Sequence, residues 1–181
     1  MLKHVLLLVL VAMLICESLF FSDDVLLNST ALNADEVFVM EDSNIYDALI
    51  ARFMYAEPST LNQKQLTVAT LIIFDAEMMN GGLCQFFVND YNGYAKYVHD
   101  ALGEVGAIEM QEHYSNFVSQ NDIDVTQMDS FRIASTHDYA KQFDRFPYGA
   151  FDNTFSEIYQ KENLGNLLLI YARIHREEIF D

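Results

Sequence analysis

The chain is short of positive charge. It carries 10 Lys and Arg against 27 Asp and Glu over 181 residues, for a formal net charge of -17 and a pI near 4.4. That shortage excludes direct binding of nucleic acid, which needs clustered cations able to displace the counterions of phosphates. It argues equally against an anionic membrane surface as a partner. Tryptophan is absent, and two prolines and seven glycines leave no linker, internal repeat or low-complexity stretch to divide the chain. The only two cysteines, Cys16 in an apolar run and Cys84 between Leu83 and Gln85, form neither a zinc-ligand set nor a disulfide framework. Each reads as a small buried hydrophobe. What the chain does have is apolar surface: 51% hydrophobic and 13% aromatic residues, enough for a full core in one domain of this length.

Residues 1–21 stand apart from the rest. Lys3 and His4 precede an unbroken apolar stretch from Val5 to Cys16, and Glu17 and Ser18 follow before Leu19, Phe20 and Phe21. A short basic start before about twelve apolar residues has the outline of a signal peptide or weak anchor. Its small-x-small cleavage pattern has only Cys16 and Ser18 to offer, and Glu17 interrupts a run shorter than the roughly 20 residues that span a bilayer. A buried helix and a start codon assigned too far upstream are the alternatives. Contact with a membrane would come only through this segment. Its loss would remove one Lys and one Glu, so residues 22–181 keep the whole charge of -17.

Beyond residue 22 the apolar residues recur at helical spacing, and strand alternation is almost absent. Tyr46, Leu49, Ile50, Phe53 and Met54 line one helix face. Pro58 breaks the chain, and Thr60 with Gln63 reads as a capping box opening a helix over 61–79, apolar around most of its circumference. Asn80, Gly81 and Gly82 are expected to stop it, and a short helix carrying Leu83, Phe86 and Phe87 follows. Tyr94, Tyr97, Val98, Ala101, Leu102 and Val105 mark a further helix that ends at Gly106, and Ala107, Met110, Tyr114 and Phe117 mark the next. A long helix over 125–145, a short one around Phe151, Phe155, Ile158 and Tyr159, and a last one from Leu164 past Ile174 complete the expectation. The fold class is all-α: a single compact domain of seven or eight helices over residues 22–181, behind an apolar N-terminal segment.

No catalytic or metal motif stands out. The five histidines, His4, His99, His113, His137 and His175, form no HExxH and no i, i+4 pair. Asp75 and Glu77 are two apart on a helix and diverge, so they make no general acid/base pair. The Asn80-Gly81-Gly82 turn lacks the Lys-Ser/Thr of a phosphate-binding loop, and there is no GxSxG elbow. The reading is non-catalytic, with no cofactor.

The stretch Glu77-Met78-Met79-Asn80-Gly81-Gly82-Leu83-Cys84-Gln85-Phe86-Phe87-Val88-Asn89 is far more specific. It resembles the E-x-x-N-G-G-F-x-Q-F-F-x-N signature of a bacterial domain family of unknown function, best known as the C-terminal domain of the DNA-mimic protein family. Further matches follow in order at Gly93, Ala101-Leu102, Gly106-Ala107, Phe143-Asp144, Phe151-Asp152, Phe155, Leu168, Tyr171 and His175. Together they extend the resemblance from about residue 44 to 181, with Leu83 in place of the usual Phe. The signature itself reads as architectural: Gly81 and Gly82 turn the chain, Phe86 and Phe87 anchor it in the core, and Asn80, Gln85 and Asn89 satisfy backbone groups freed by the turn. The resemblance implies something else, an acidic cytoplasmic dimer whose carboxylates stand where DNA phosphates would on a DNA-binding protein. The alternative location is membrane-anchored or exported, through residues 1–21.

Candidate carboxylates for such a surface are Asp100 with Glu104 at i, i+4, Glu109 with Glu112 at i, i+3, and Glu177, Glu178 and Asp181 at a helix C-terminus. Like charges at these spacings, and anions at a C-terminus, oppose helix formation by a few tenths of a kcal/mol each. The partner expected is a basic protein, DNA-binding in the reading that the family implies. Two alternatives remain open in the sequence: a ligand pocket or enzymatic site around Asn80, Gln85 and Asn89, and an acidic immunity-type partner of one cognate protein. Self-repulsion among so many carboxylates predicts that an inert salt series raises the melting temperature; a flat or falling series would contradict it.

Overall fold

Residues 63–89 carry apolar side chains around most of the circumference of the helix they form, and the chain folds around it. The computed structural model describes residues 33–90 and 92–181; the apolar run at 1–21 lies outside the described residues. In chain order the α-helices are α1 (Ala34–Val39), α2 (Asp42–Phe53), α3 (Gln63–Asn89), α4 (Val98–Val105), α5 (Ile108–Gln120), α6 (Thr136–Arg145), α7 (Tyr148–Tyr159), α8 (Leu164–Ile174) and α9 (Arg176–Phe180). Short 3-10 turns occupy Pro58–Thr60, Ala95–Tyr97 and Met128–Phe131. The domain is all-α as expected, with nine α-helices among the described residues.

Helix α3 packs against α2, α4, α6, α7, α8 and α9, while α5 bridges α4 and α7. By length and composition α3 could cross a membrane, but here its apolar surface is covered by its neighbours. Phe74 sits at the centre and meets Phe86, Tyr114 and Phe155 edge-on, at centroid distances of 5.1, 5.8 and 5.7 Å. Each such pair adds about 0.5–1.5 kcal/mol beyond simple burial.

The start of α3 differs from expectation by two residues. Pro58 opens a 3-10 turn in which Thr60 Oγ1 donates to the Glu57 carbonyl at 2.8 Å. The capping box is instead Asn62 with Gln65: Asn62 Oδ1 accepts from the Lys64 and Gln65 amides, both at 2.9 Å, and Gln65 Oε1 accepts from the Asn62 amide at 3.1 Å. The long helix expected over 125–145 is also replaced. Asp124 Oδ1 takes both the amide and the hydroxyl of Thr126, and Ser135 caps α6 by accepting from the Asp138 amide. Such short polar side chains compete with helical backbone bonding, so the helix forms only from Thr136. Gly106 does end α4, in the left-handed conformation at φ 82°.

At the C-terminus the charge reading reverses. Helix α8 stops at Ile174, so Glu177 and Glu178 lie in the first turn of α9 rather than at a helix end. There the partial positive charge of the helix start favours them. Asp181 accepts from the Ala34 amide at 3.1 Å, at the first residue of α1, and fastens that helix to the C-terminus.

Asn80 and Gly81 do not stop α3. Helical geometry runs on to Asn89, broken only at Gly82, with φ 75° and ψ -170°. A side chain there would both strain the backbone and collide with the Asp152 carboxylate. Gly82→Ala is therefore expected to destabilise the fold by about 2–4 kcal/mol. Gly149→Ala in α7, where a Cβ meets nothing within 4 Å, should instead be neutral or stabilising by up to about 1 kcal/mol. Chemical denaturation of both variants checks the contrast.

Candidate functional site

The signature residues converge on the Gly82 break. Interrupting a helix frees backbone groups, and here the Leu83 amide donates to Asp152 Oδ1 of α7 at 3.0 Å. Across the break Glu77 collects two side chains from the second half of α3. Gln85 Nε2 donates to Glu77 Oε2 at 2.7 Å, and Asn89 Nδ2 lies 3.1 and 3.0 Å from its two oxygens. The sequence assigned the amides to freed backbone groups; the structure assigns them to Glu77, and the freed amide to Asp152. Asn80 takes no part and is exposed. Phe86 and Phe87 anchor the second half of the helix in the core. Asp152 lies 69 residues beyond Leu83 in sequence, so only its place in the family pattern pointed to it.

Burial raises the carboxyls of Glu77 and Asp152 above the ordinary range. The amides of Gln85 and Asn89 oppose the shift at Glu77, and the Leu83 amide, with His113 nearby, opposes it at Asp152. His113 itself is packed, its ring stacked on Phe151 at 4.2 Å and its Nε2 3.0 Å from the Phe151 carbonyl. Two further acids are buried, Asp75 within α3 and Asp90 at its C-terminal cap. Asp75 Oδ2 accepts from the Tyr46 hydroxyl at 2.9 Å, and Asp90 accepts from the Tyr94 and Ala95 amides; desolvation raises both carboxyls despite these bonds. Cys84 is fully buried, its thiol pushed up to about 12 by burial.

The candidate surface carboxylates divide into two groups. Glu104 pairs with Lys64 at 3.1 Å and accepts from the Tyr171 hydroxyl at 3.1 Å, and Glu109 pairs with Lys161 at 3.3 Å. Glu178 lies 3.1 Å from His175 Nδ1, Glu177 lies 3.8 Å from Arg176, and Asp181 caps α1. Asp100 and Glu112 are exposed, and among the described residues neither meets a Lys or Arg, Asp100 having only His99 at 3.9 Å.

Among the clefts between the described residues, three are best defined. They are lined around Arg132 and Arg145, around His99 and Ser115, and around Asn121 and Phe146. Asn80, Gln85 and Asn89 line none of these three. Among the described residues no group of three or more His, Cys, Asp and Glu is placed to hold a metal ion.

Glu77 and Asp152 are both half-buried. Glu77→Ala leaves two amide donors without their acceptor and should cost about 1–3 kcal/mol for each one left unsatisfied. Glu77→Gln keeps an acceptor and should stay within about 1 kcal/mol of the parent. The raised carboxyls bind protons more tightly folded than unfolded, so their contribution to stability is full below the unfolded pKa and is lost as pH rises through the folded one. The melting temperature should rise as pH falls from neutral toward the ordinary carboxylate range, with a shallower slope in Glu77→Gln. Equal slopes would show that Glu77 does not carry the effect.

A family model described as DMP19-like protein matches residues 59–175. The match begins within the 3-10 turn before α3 and runs through α8, taking in the whole signature and Asp152; it is narrower than the 44–181 expected from the sequence. Curated proteins and solved structures give no match. The chain, matched over more than half its length, belongs to the DMP19-like protein family.

Proposed function

We propose that this chain is a non-catalytic acidic module that binds a basic protein, in the manner of a DNA mimic presented to a DNA-binding partner. The observation that carries the reading is the division of labour among its carboxylates. The acids of the signature site are turned inward and held by internal hydrogen bonds: Glu77 by Gln85 and Asn89, Asp152 by the Leu83 amide. Internal duties of that kind leave recognition to the surface. There Asp47, Glu57, Asp100, Glu112, Asp122, Asp144 and Glu157 are exposed, and among the described residues none meets a Lys or Arg.

Helices α4 and α5 pack on each other, so Asp100 and Glu104 on one and Glu109 and Glu112 on the other belong to neighbouring elements. Glu104 and Glu109 are held by lysines in exposed pairs, each of the kind worth about 0–1 kcal/mol. A partner's arginines, with bidentate geometry, can displace a lysine at that cost. The pocket reading gains nothing from the geometry, since Gln85 and Asn89 spend their donors on Glu77.

The test is capture on the immobilised full chain, with DNA-binding proteins in the analyte. Binding should weaken steeply with salt, be displaced by duplex DNA, and fall when Asp100→Asn and Glu112→Gln are combined. A complex that persists at high salt and ignores duplex DNA would overturn the reading.

A further inference from the structure

Cations are scarce in this chain, yet Arg132, Lys141 and Arg145 line a single cleft of about 570 Å3. Asp138, Gln142 and Asp144 complete its lining. Two of the cations are engaged: Arg132 holds Asp129 at 3.0 Å and Lys141 holds Asp138 at 3.3 Å. Arg145 is different. Among the described residues no carboxylate lies within ion-pair distance of it, although the chain carries 27 acids. Its guanidinium lies instead over the rings of Phe131 and Phe146, at 5.3 and 4.9 Å, and these rings stack on each other at 5.9 Å.

That stacking fixes the plane of the guanidinium and leaves its edge of N–H donors for another group. Such an edge is preorganised for the two oxygens of a carboxylate. A second group in the cleft asks for the opposite partner. Gln142 Nε2 donates to the Ser130 carbonyl at 2.7 Å, which fixes the amide's orientation, and Gln142 Oε1 is then buried with no hydrogen-bond partner. The cleft thus presents cationic donors, and one of its lining residues holds a buried acceptor without a partner. A free phosphate meets the donors but sets a double charge against the Asp138 and Asp144 carboxylates. A peptide carboxylate carries one charge and has an amide N–H close by.

We infer that this cleft binds an acidic peptide segment through its side-chain carboxylate, held by Arg145 and Lys141. The inference is independent of the acidic-surface reading: it concerns Arg145, which has no carboxylate within ion-pair distance among the described residues, and needs no basic partner. Were both to hold, a partner would be basic over most of its contact surface and would set one acidic residue into this cleft, which fixes its register.

Titration of the full chain with acetyl-Gly-Asp-Gly-amide, followed by NMR, tests it, with the Asn analogue and inorganic phosphate as separate arms. The Asp peptide should saturate with shifts at residues 131–146, and the Asn peptide should not. Arg145→Gln should weaken binding by about tenfold and Lys141→Gln by several-fold, while Lys96→Gln, an equal change of charge at an exposed position elsewhere, leaves it unchanged. Lys141→Gln serves if Arg145→Gln fails to fold. Equal binding of the Asp and Asn peptides, absence of saturation, tighter binding of phosphate, or binding unaffected by both cleft variants would overturn the inference.

Discussion

A glycine with positive φ inside the longest of the described helices sets the geometry of the described domain. Gly82 turns α3, and Phe74 before it and Phe86 and Phe87 after it all enter the same core. The angle between the two halves therefore decides whether those rings meet. Two carboxylates hold that angle. Glu77 reaches forward to Gln85 and Asn89, and Asp152 reaches across from α7 to the amide that the turn would otherwise leave unpaired. Burying acids beside an apolar core is costly, as their raised carboxyls record; each is offset by donors already in place. A glycine that admits no side chain and two acids that depend on it form one unit, and the signature spells most of it.

How much of this was legible in the sequence follows from the range of each interaction. Helical periodicity and the left-handed stop at Gly106 are local, and they were read correctly. The break in α3 was half-read: two glycines after an asparagine signal a stop, but whether a helix resumes depends on Asp152, which only folding brings near. Local polar competition was underread in the 125–145 stretch, where Asp124 with Thr126 and Ser135 with Asp138 carry the signals of a turn and a cap. Asn62 with Gln65 likewise outranks Thr60 with Gln63 once Pro58 takes Thr60 into a 3-10 turn. The cleft around Arg145 had no sequence signal, because its members gain meaning only from what they fail to touch.

The same geometry redistributes the charge that dominates the composition. Several acids that look like repulsive surface in the sequence have structural duties. Asp181 fastens α1, Glu162 takes the Glu109 and Met110 amides at the start of α5, and Glu177 and Glu178 begin α9. Such carboxylates at helix starts support the fold. The exposed carboxylates with no Lys or Arg beside them among the described residues are thus fewer than the net charge suggests, Asp100 and Glu112 among them. Membership of the DMP19-like protein family rests on the match over residues 59–175, which takes in the whole signature and Asp152.

The central claim is that the Gly82 break is a rigid part of the core. Native-state hydrogen exchange at the Leu83 amide addresses it most directly. Held by Asp152 in a buried setting, that amide should exchange only through global unfolding, with protection matching that of Phe74 in the first half of α3. Exchange more than about a hundredfold faster than at Phe74 would mean that the break opens locally, and would contradict the account.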